Sequence, residues 1–348
     1  MKHLLFISLL TLFTSSSWGQ KADTVNQKSN NSISNNEYAI EKKSTFISAF
    51  YGVSNYLGDL GGNEGVGKKF IFDMNFKQRT SFIGFSISHI RKQALGLRLG
   101  YASGNIAGSD QDASFKYKGD DAYYRYKRNL DFKSKISEWS MLIELYPFKF
   151  INRNRKLHQI NFQPYLLGGV GRFKFNPQGT YYDEISSDYV WIDLQPLSTE
   201  GQGMKEYPNS KPYDLTQFNL PYGFGIQYSL GAKTSLALEF IGRKLFTDYL
   251  DDVSTNYIDP NLFANYLSEE DNEIAMAIQN KSNLIDPNNA YKKGDQRGNP
   301  KYNDFYYSFN LKLSIQINKR RNKTISSLPT SEDIEYKHYK YDQTEMCD

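Results

Sequence analysis

Cysteine is all but missing: the 348 residues contain one, Cys347, beside the C-terminal residue. That excludes an intrachain disulfide framework and a cysteine metal cluster, and a cysteine in that place is no N-terminal lipid anchor. Long apolar runs are scarce too. Beyond residue 19 no stretch approaches the ~18 to 20 apolar residues that a membrane helix needs, and mean hydropathy is -0.62, so a helical membrane protein is excluded. A β-barrel is not, because half of each of its strands faces inward and polar loops dilute the average. Histidine is sparse: His3 falls in the leader, His89 and His158 near the ends of strand candidates and His338 in the tail. No Ser/His/Asp constellation can gather on the long loops, which disfavours a lipid-modifying barrel esterase and leaves no catalytic residue to assign. The net charge of +4 is scattered and makes no case for nucleic acid.

What the chain does have begins with its first residues. Lys2, the apolar run Leu4 to Phe13, and the small residues Ser17 and Gly19 before Gln20 follow the plan of a cleavable signal peptide. Residues 20–43 are polar, rich in Asn and Ser, and read as a flexible periplasmic lead-in. Residues 44–318 carry the barrel, and residues 319–348 form a basic stop (Lys319, Arg320, Arg321, Lys323) and a polar periplasmic tail. Composition favours disorder for the tail over a partner segment. Tyr and Phe bring aromatics to 15%, which suits rings at two membrane interfaces.

Eight strand candidates follow from dyad patterning: Thr45 to Tyr56, Thr80 to Ile90, Ala94 to Ser103, Lys133 to Tyr146, Gln159 to Phe173, Thr216 to Tyr228, Thr234 to Leu245 and Asp304 to Asn318. In the last, Tyr307, Phe309, Leu311, Leu313, Ile315 and Ile317 alternate with polar partners. Leu95, Leu97, Leu99 and Tyr101 alternate with Gly96, Arg98 and Gly100 in the same way. Strands starting near Thr45 and Gln159 leave their facing open, since Leu166 and Leu167 are adjacent. Long connections (Tyr56 to Arg79, Gly104 to Phe132, Lys174 to Leu215, Phe246 to Asn303) alternate with short ones (Arg91 to Gln93, Pro147 to His158, Ser229 to Lys233). The pattern implies an all-β, transmembrane, antiparallel up-and-down barrel of about eight strands. Its long loops are extracellular, its short turns and both termini periplasmic, and outer-membrane lipids surround it.

A barrel of that size has room inside for side chains and no open channel. Its inward charges are expected to be Arg98, Glu138, Glu144, Arg172, Glu239, Arg243 and Lys312, of mixed sign, paired into a salt-bridged plug rather than a proton or ion path. The Gly61, Gly62, Gly65, Gly67 run lacks the Gly-Lys-Ser/Thr ending of a phosphate loop and is only a loop. Asp248, Asp251 and Asp252 are spaced to hold calcium or, as the better reading, to hydrogen-bond within their loop. Apolar residues from Leu262 to Ile278 recur at helical spacing and predict one short helix. Trp191, Ile192, Leu194, Pro196 and Leu197 form an apolar patch that suits either a protein partner or a neighbouring loop. No cofactor motif and no small-molecule substrate are evident.

Five segments together resemble the PorG-like outer-membrane β-barrels of Bacteroidota. They are Ser54-Asn55-Tyr56-Leu57-Gly58-Asp59-Leu60-Gly61-Gly62, Leu97 to Tyr101 with Gly104, Trp191-Ile192-Asp193-Leu194-Gln195-Pro196-Leu197 through Gly203, Phe246 to Ser254, and Arg297-Gly298-Asn299-Pro300. The resemblance implies a non-enzymatic outer-membrane protein associated with type IX secretion, with a periplasmic ring of the PorK/PorN type as partner and no catalytic residues. A narrow porin-like transport barrel and a paralogue of unassigned role stay open as alternatives.

Overall fold

The ten residues from Tyr307 to Gln316 alternate without a break between apolar and polar, and with Phe305 and Tyr306 they form a strand paired on both sides. The computed structural model describes residues 43–60, 79–91, 94–115, 117–151 and 162–317. The signal peptide, nearly all of the lead-in, the glycine run, His158, and the tail with its basic stop lie outside the described residues.

The elements in order are β1 (Lys43–Leu57), β2 (Thr80–Arg91), β3 (Leu95–Ser109), α1 (Asp121–Arg128), β4 (Asp131–Leu145), α2 (Pro147–Ile151), β5 (Phe162–Lys174), β6 (Pro177–Asp183), β7 (Asp188–Asp193), β8 (Thr216–Ser229), β9 (Thr234–Leu245), α3 (Glu269–Gln279) and β10 (Phe305–Gln316). Eight of the strands pair in the order β3-β2-β1-β10-β9-β8-β5-β4, and β3 then pairs with β4. The sheet therefore closes into an antiparallel barrel with no free edge. Each of the eight strand candidates corresponds to one barrel strand. β6 and β7 form a hairpin in the loop between β5 and β8, joined to the top of β4 at Lys133 and Ser134.

Solvent exposure follows the pleat. Ile47, Tyr51, Ile83, Ile87, Leu97, Leu99, Met141, Ile143, Phe224 and Leu311 stand on the outside, with Trp139 63% and Leu238 66% exposed. Ser48, Arg98, Glu138, Glu144, Asn219, Glu239, Asn310 and Lys312 are buried on the inside. A soluble barrel shows the reverse. Soluble monomers hold their exposed apolar patches to ~300 to 600 Å², whereas this belt runs round the whole cylinder. Rings concentrate within it: Phe85, Tyr101 and Trp139 make one exterior cluster, and Phe240 packs against Phe309, with Tyr307 buried beside them.

The facing that the sequence leaves open is settled by the ladders. In β1, Ile47, Ala49, Tyr51 and Val53 face out, and Ser48, Gly52 and Ser54 face in. In β5, Tyr165, Leu167, Gly171 and Phe173 face in. Arg172 is consequently on the exterior, exposed, opposite Trp139 on one side and Phe218 on the other. Its expected place in the lumen is wrong by one step of the pleat.

A second correction concerns the helix expected over Leu262 to Ile278. A 3-10 turn at Pro260–Asn265 and α3 are separate, because Ser268 adopts extended backbone and caps α3, its hydroxyl accepting from the Asp271 amide at 3.1 Å. Phe263, Ala275 and Ile278 from these pieces pack on Leu194, Leu197, Met204 and Ile258. Within the apolar patch, Leu194 and Leu197 are thus covered by another loop.

Candidate functional site

The barrel wall brings six of the seven expected lumen charges into two neutral layers. In the first, Arg98 Nε donates to Glu144 Oε1 at 2.5 Å and its Nη2 to Glu239 Oε1 at 2.6 Å. Lys312 Nζ bridges the same carboxylates, at 2.6 Å from Glu239 and 3.8 Å from Glu144. Tyr165 donates to Glu239, and the Tyr146 hydroxyl donates to Glu144 Oε2 at 3.1 Å. Two cations meet two anions, none more than 3% exposed. In the second layer, Glu138 Oε2 accepts from Arg243 Nε (3.1 Å), the Tyr306 hydroxyl (2.5 Å) and Asn219 Nδ2 (2.9 Å). The Arg243 guanidinium lies between the Phe82 and Tyr306 rings, 5.0 and 5.1 Å from their centroids.

Apolar side chains close both ends of this stack. Ile90, Leu142, Tyr165, Leu167 and Ile241 form one cluster. Tyr56, Phe82, Phe132, Ile136, Phe173, Phe175 and Leu245 form the other. Between them, a cavity beside Arg98 and Arg243 holds about 20 Å³, which is room for one water. The lumen is packed rather than hollow.

Above the second cluster the four long connections are tied into a cap. Glu200 accepts from the Ser254 amide (3.0 Å), the Thr255 amide (2.9 Å) and hydroxyl (2.7 Å), and Arg297 Nη1 (2.9 Å). Arg297 Nη1 also donates to the Asp252 carbonyl at 2.6 Å. Asp252 accepts from the Thr199 hydroxyl at 2.5 Å and the Tyr213 hydroxyl at 2.7 Å. Gly201 and Gly203 sit at φ 72° and 85°, where a side chain is strained, and the turn they make presents Glu200 to this network. From α1, Arg128 binds both Asp110 oxygens (2.7 and 2.8 Å) and the carbonyls of Asp59 and Arg297 (both 2.5 Å). Asp59 Oδ2 accepts from the Asn299 amide at 2.7 Å.

Tyr56 is the hinge of this arrangement. Its single hydroxyl proton faces two carboxylates, Asp251 Oδ2 and Asp304 Oδ1, the latter at 2.7 Å, while its oxygen accepts from the Asp59 amide at 3.1 Å. The geometry balances only if one carboxyl carries a proton of its own. The electrostatics agree. Burial, then the nearby Asp59 charge, pushes Asp251 up to about 7. Burial, then Asp251 and Asp248, pushes Asp304 well above the ordinary carboxylate range. Burial also takes Asp248 up to about 8, and takes Asp252 up to about 6 against the pull of Arg297.

The weak calcium candidates therefore diverge. Asp251 accepts from the Leu60 amide (3.1 Å) and the Val253 amide (2.9 Å), and Asp252 turns to Thr199 and Tyr213. Among the described residues, no three Asp, Glu, His or Cys side chains converge on a point that could hold a metal ion. Of the loop-signature residues, Asn55 accepts from the Tyr56 amide at 2.7 Å, and Leu57 pairs with Phe305 beside Gly58. Asp193 accepts from Asn176 (2.9 Å) and Gln178 (2.7 Å), and Gln195 donates to the Tyr213 carbonyl (3.3 Å). Pro196 sits in a 3-10 turn, and Lys133 Nζ lies 4.2 Å from the Trp191 ring centroid.

Sequence reading missed Arg128, Asp110 and Asp304 as tie points, and singled out Glu200 and Arg297 only as parts of motifs. A signal for Arg128 was present: Asp120 and Asp121 precede it and Arg125, Lys127 and Arg128 end the run, the charge order that suits a helix dipole. Asn129 at φ 59° ends that helix.

By fold and side-chain distribution the chain is of the class of closed eight-stranded antiparallel barrels with an apolar exterior, a polar packed interior and a capped end. The family described as Domain of unknown function (DUF6089) matches residues 35–190. No curated protein matches the chain. Similar solved structures include Ail, the attachment invasion locus protein of Yersinia pestis, in complex with the heparin analogue sucrose octasulfate, at 9% identity, covering 79% of this chain and 99% of that one with a TM-score of 0.34. Neisserial surface protein A is similar at 9% identity, covering 80% and 100% of the two chains, TM-score 0.32. A major outer membrane protein from Thermus thermophilus follows at 12% identity, covering 79% and 100%, TM-score 0.34.

Proposed function

We propose that the protein is a non-enzymatic outer-membrane barrel that serves as an assembly or anchoring component of a type IX secretion apparatus. The observation that carries this reading is a coincidence of place. Tyr56 and Asp59, Thr199 and Glu200, Asp251 and Asp252, and Arg297 and Asn299 come from four of the segments that resemble PorG-like barrels, and they meet in one hydrogen-bonded cap. Most charged groups of the lumen and cap pair with one another, which suits a rigid platform better than a catalyst or a conduit. On this reading the capped end faces outward, the short-turn end and both termini face the periplasm, and a ring of the PorK/PorN type docks there. Extraction in gentle detergent should co-purify such a ring. Absence of the ring, together with reproducible single-channel conductance in planar bilayers, would instead support a narrow transport barrel.

A further inference from the structure

One cation of the cap is not spent. Lys127 on α1 is 5% exposed, yet among the described residues no carboxylate lies within ion-pair distance of its ammonium. Its neighbour is the Tyr291 ring, whose centroid is 4.5 Å away. A cation–π contact offsets only part of the cost of burying an ammonium. Lys127 lines a cleft of about 580 Å³ between α1 and the segment from Asn289 to Asn299. Arg125 is beside it, and the Tyr124 and Tyr291 rings and the side-chain amides of Gln296 and Asn299 line the rest. Arg128 and Arg297 also border the cleft but are committed to Asp110 and Glu200. Two acids face it. Burial raises Asp59 toward its neutral form against the pull of Arg128, and its carboxyl is held by the Asn299 amide. Asp295 is exposed and accepts from the Lys292 amide at 2.7 Å.

We propose that this cleft binds a soluble phosphorylated saccharide. The phosphate would pair with the Lys127 ammonium. Tyr124, half exposed at the mouth, would flank the sugar ring, and the amides would meet its hydroxyls. All lining groups lie in loops beyond the strand ends, away from the apolar belt, so a soluble molecule rather than a lipid headgroup fits. The test is calorimetric titration of the full chain in detergent micelles with glucose 1-phosphate, glucose and inorganic phosphate. Saturable binding of glucose 1-phosphate, at least tenfold tighter than either glucose or phosphate, is expected. Lys127→Met should lose at least tenfold in affinity, and Tyr124→Ala should weaken glucose 1-phosphate while leaving inorganic phosphate unchanged. If Lys127→Met does not fold, the exposed Tyr124→Ala decides. Equal binding of glucose and glucose 1-phosphate, no saturable binding, or indifference to Tyr124→Ala would overturn the proposal.

Discussion

Changing Glu239 to glutamine would leave Arg98 and Lys312 with only Glu144 between them, deep in the barrel. Removing one partner of a buried ion cluster costs ~3 to 5 kcal/mol, because the stranded charge cannot be rehydrated. The urea midpoint of Glu239→Gln in lipid vesicles should fall accordingly, and an unchanged midpoint would show that water reaches the lumen. The Tyr56 cluster behaves in the opposite sense. Asp248, Asp251 and Asp252 have native pKa values pushed up to about 8, 7 and 6, above those of an unfolded chain. The native cap then holds more protons than the open one, so this contribution to its stability is full below pH ~4 and is lost progressively as pH rises from ~4 to 8. Hydrogen exchange of the amides at Leu60, Leu250 and Val253, corrected for intrinsic rate, should quicken from pH 5.5 to pH 8.5. The double change Asp251→Asn with Asp304→Asn should flatten that response. The sequence showed Asp248, Asp251 and Asp252 as a cluster but not the proton held between Tyr56, Asp251 and Asp304, since Tyr56 and Asp304 lie 248 positions apart and meet only when β1 and β10 pair.

At the scale of the element, a membrane strand declares itself by parity. β3, β4, β8 and β10 alternate cleanly, and both their positions and their facing were legible because each residue sees either the exterior or the packed lumen. β5 hides its parity behind Leu166-Leu167 and Gly168-Gly169, and only its ladders with β4 and β8 put Arg172 outside. Loop elements were harder. The β6–β7 hairpin places Tyr181 and Tyr182 side by side and carries no clean alternation, and α1 is short and held in place by Arg128 rather than by an apolar stripe. If the outer face of β10 meets hydrocarbon, Leu311→Arg should cost ~2 to 4 kcal/mol at mid-membrane depth. The same substitution at the exposed loop residue Leu284 should be close to neutral. Comparable losses at the two sites would remove the distinction between belt and cap.

For the molecule as a whole, one inversion organises the rest: apolar side chains outside, ion pairs inside, and polar loops gathered at a single end. The eight barrel strands close on themselves, and among the described residues the cavity beside Arg98 and Arg243 holds only about 20 Å³, so the cap network rests on a packed support. Nitroxide accessibility in lipid vesicles tests this most directly. In a Cys347→Ser background, labels placed through Leu97→Cys, Ile143→Cys, Leu238→Cys and Leu311→Cys should be reached by oxygen dissolved in the bilayer and shielded from a water-soluble nickel complex. A label at Tyr189→Cys on the β7 hairpin should show the reverse. Belt labels as open to nickel as the hairpin label would contradict the account.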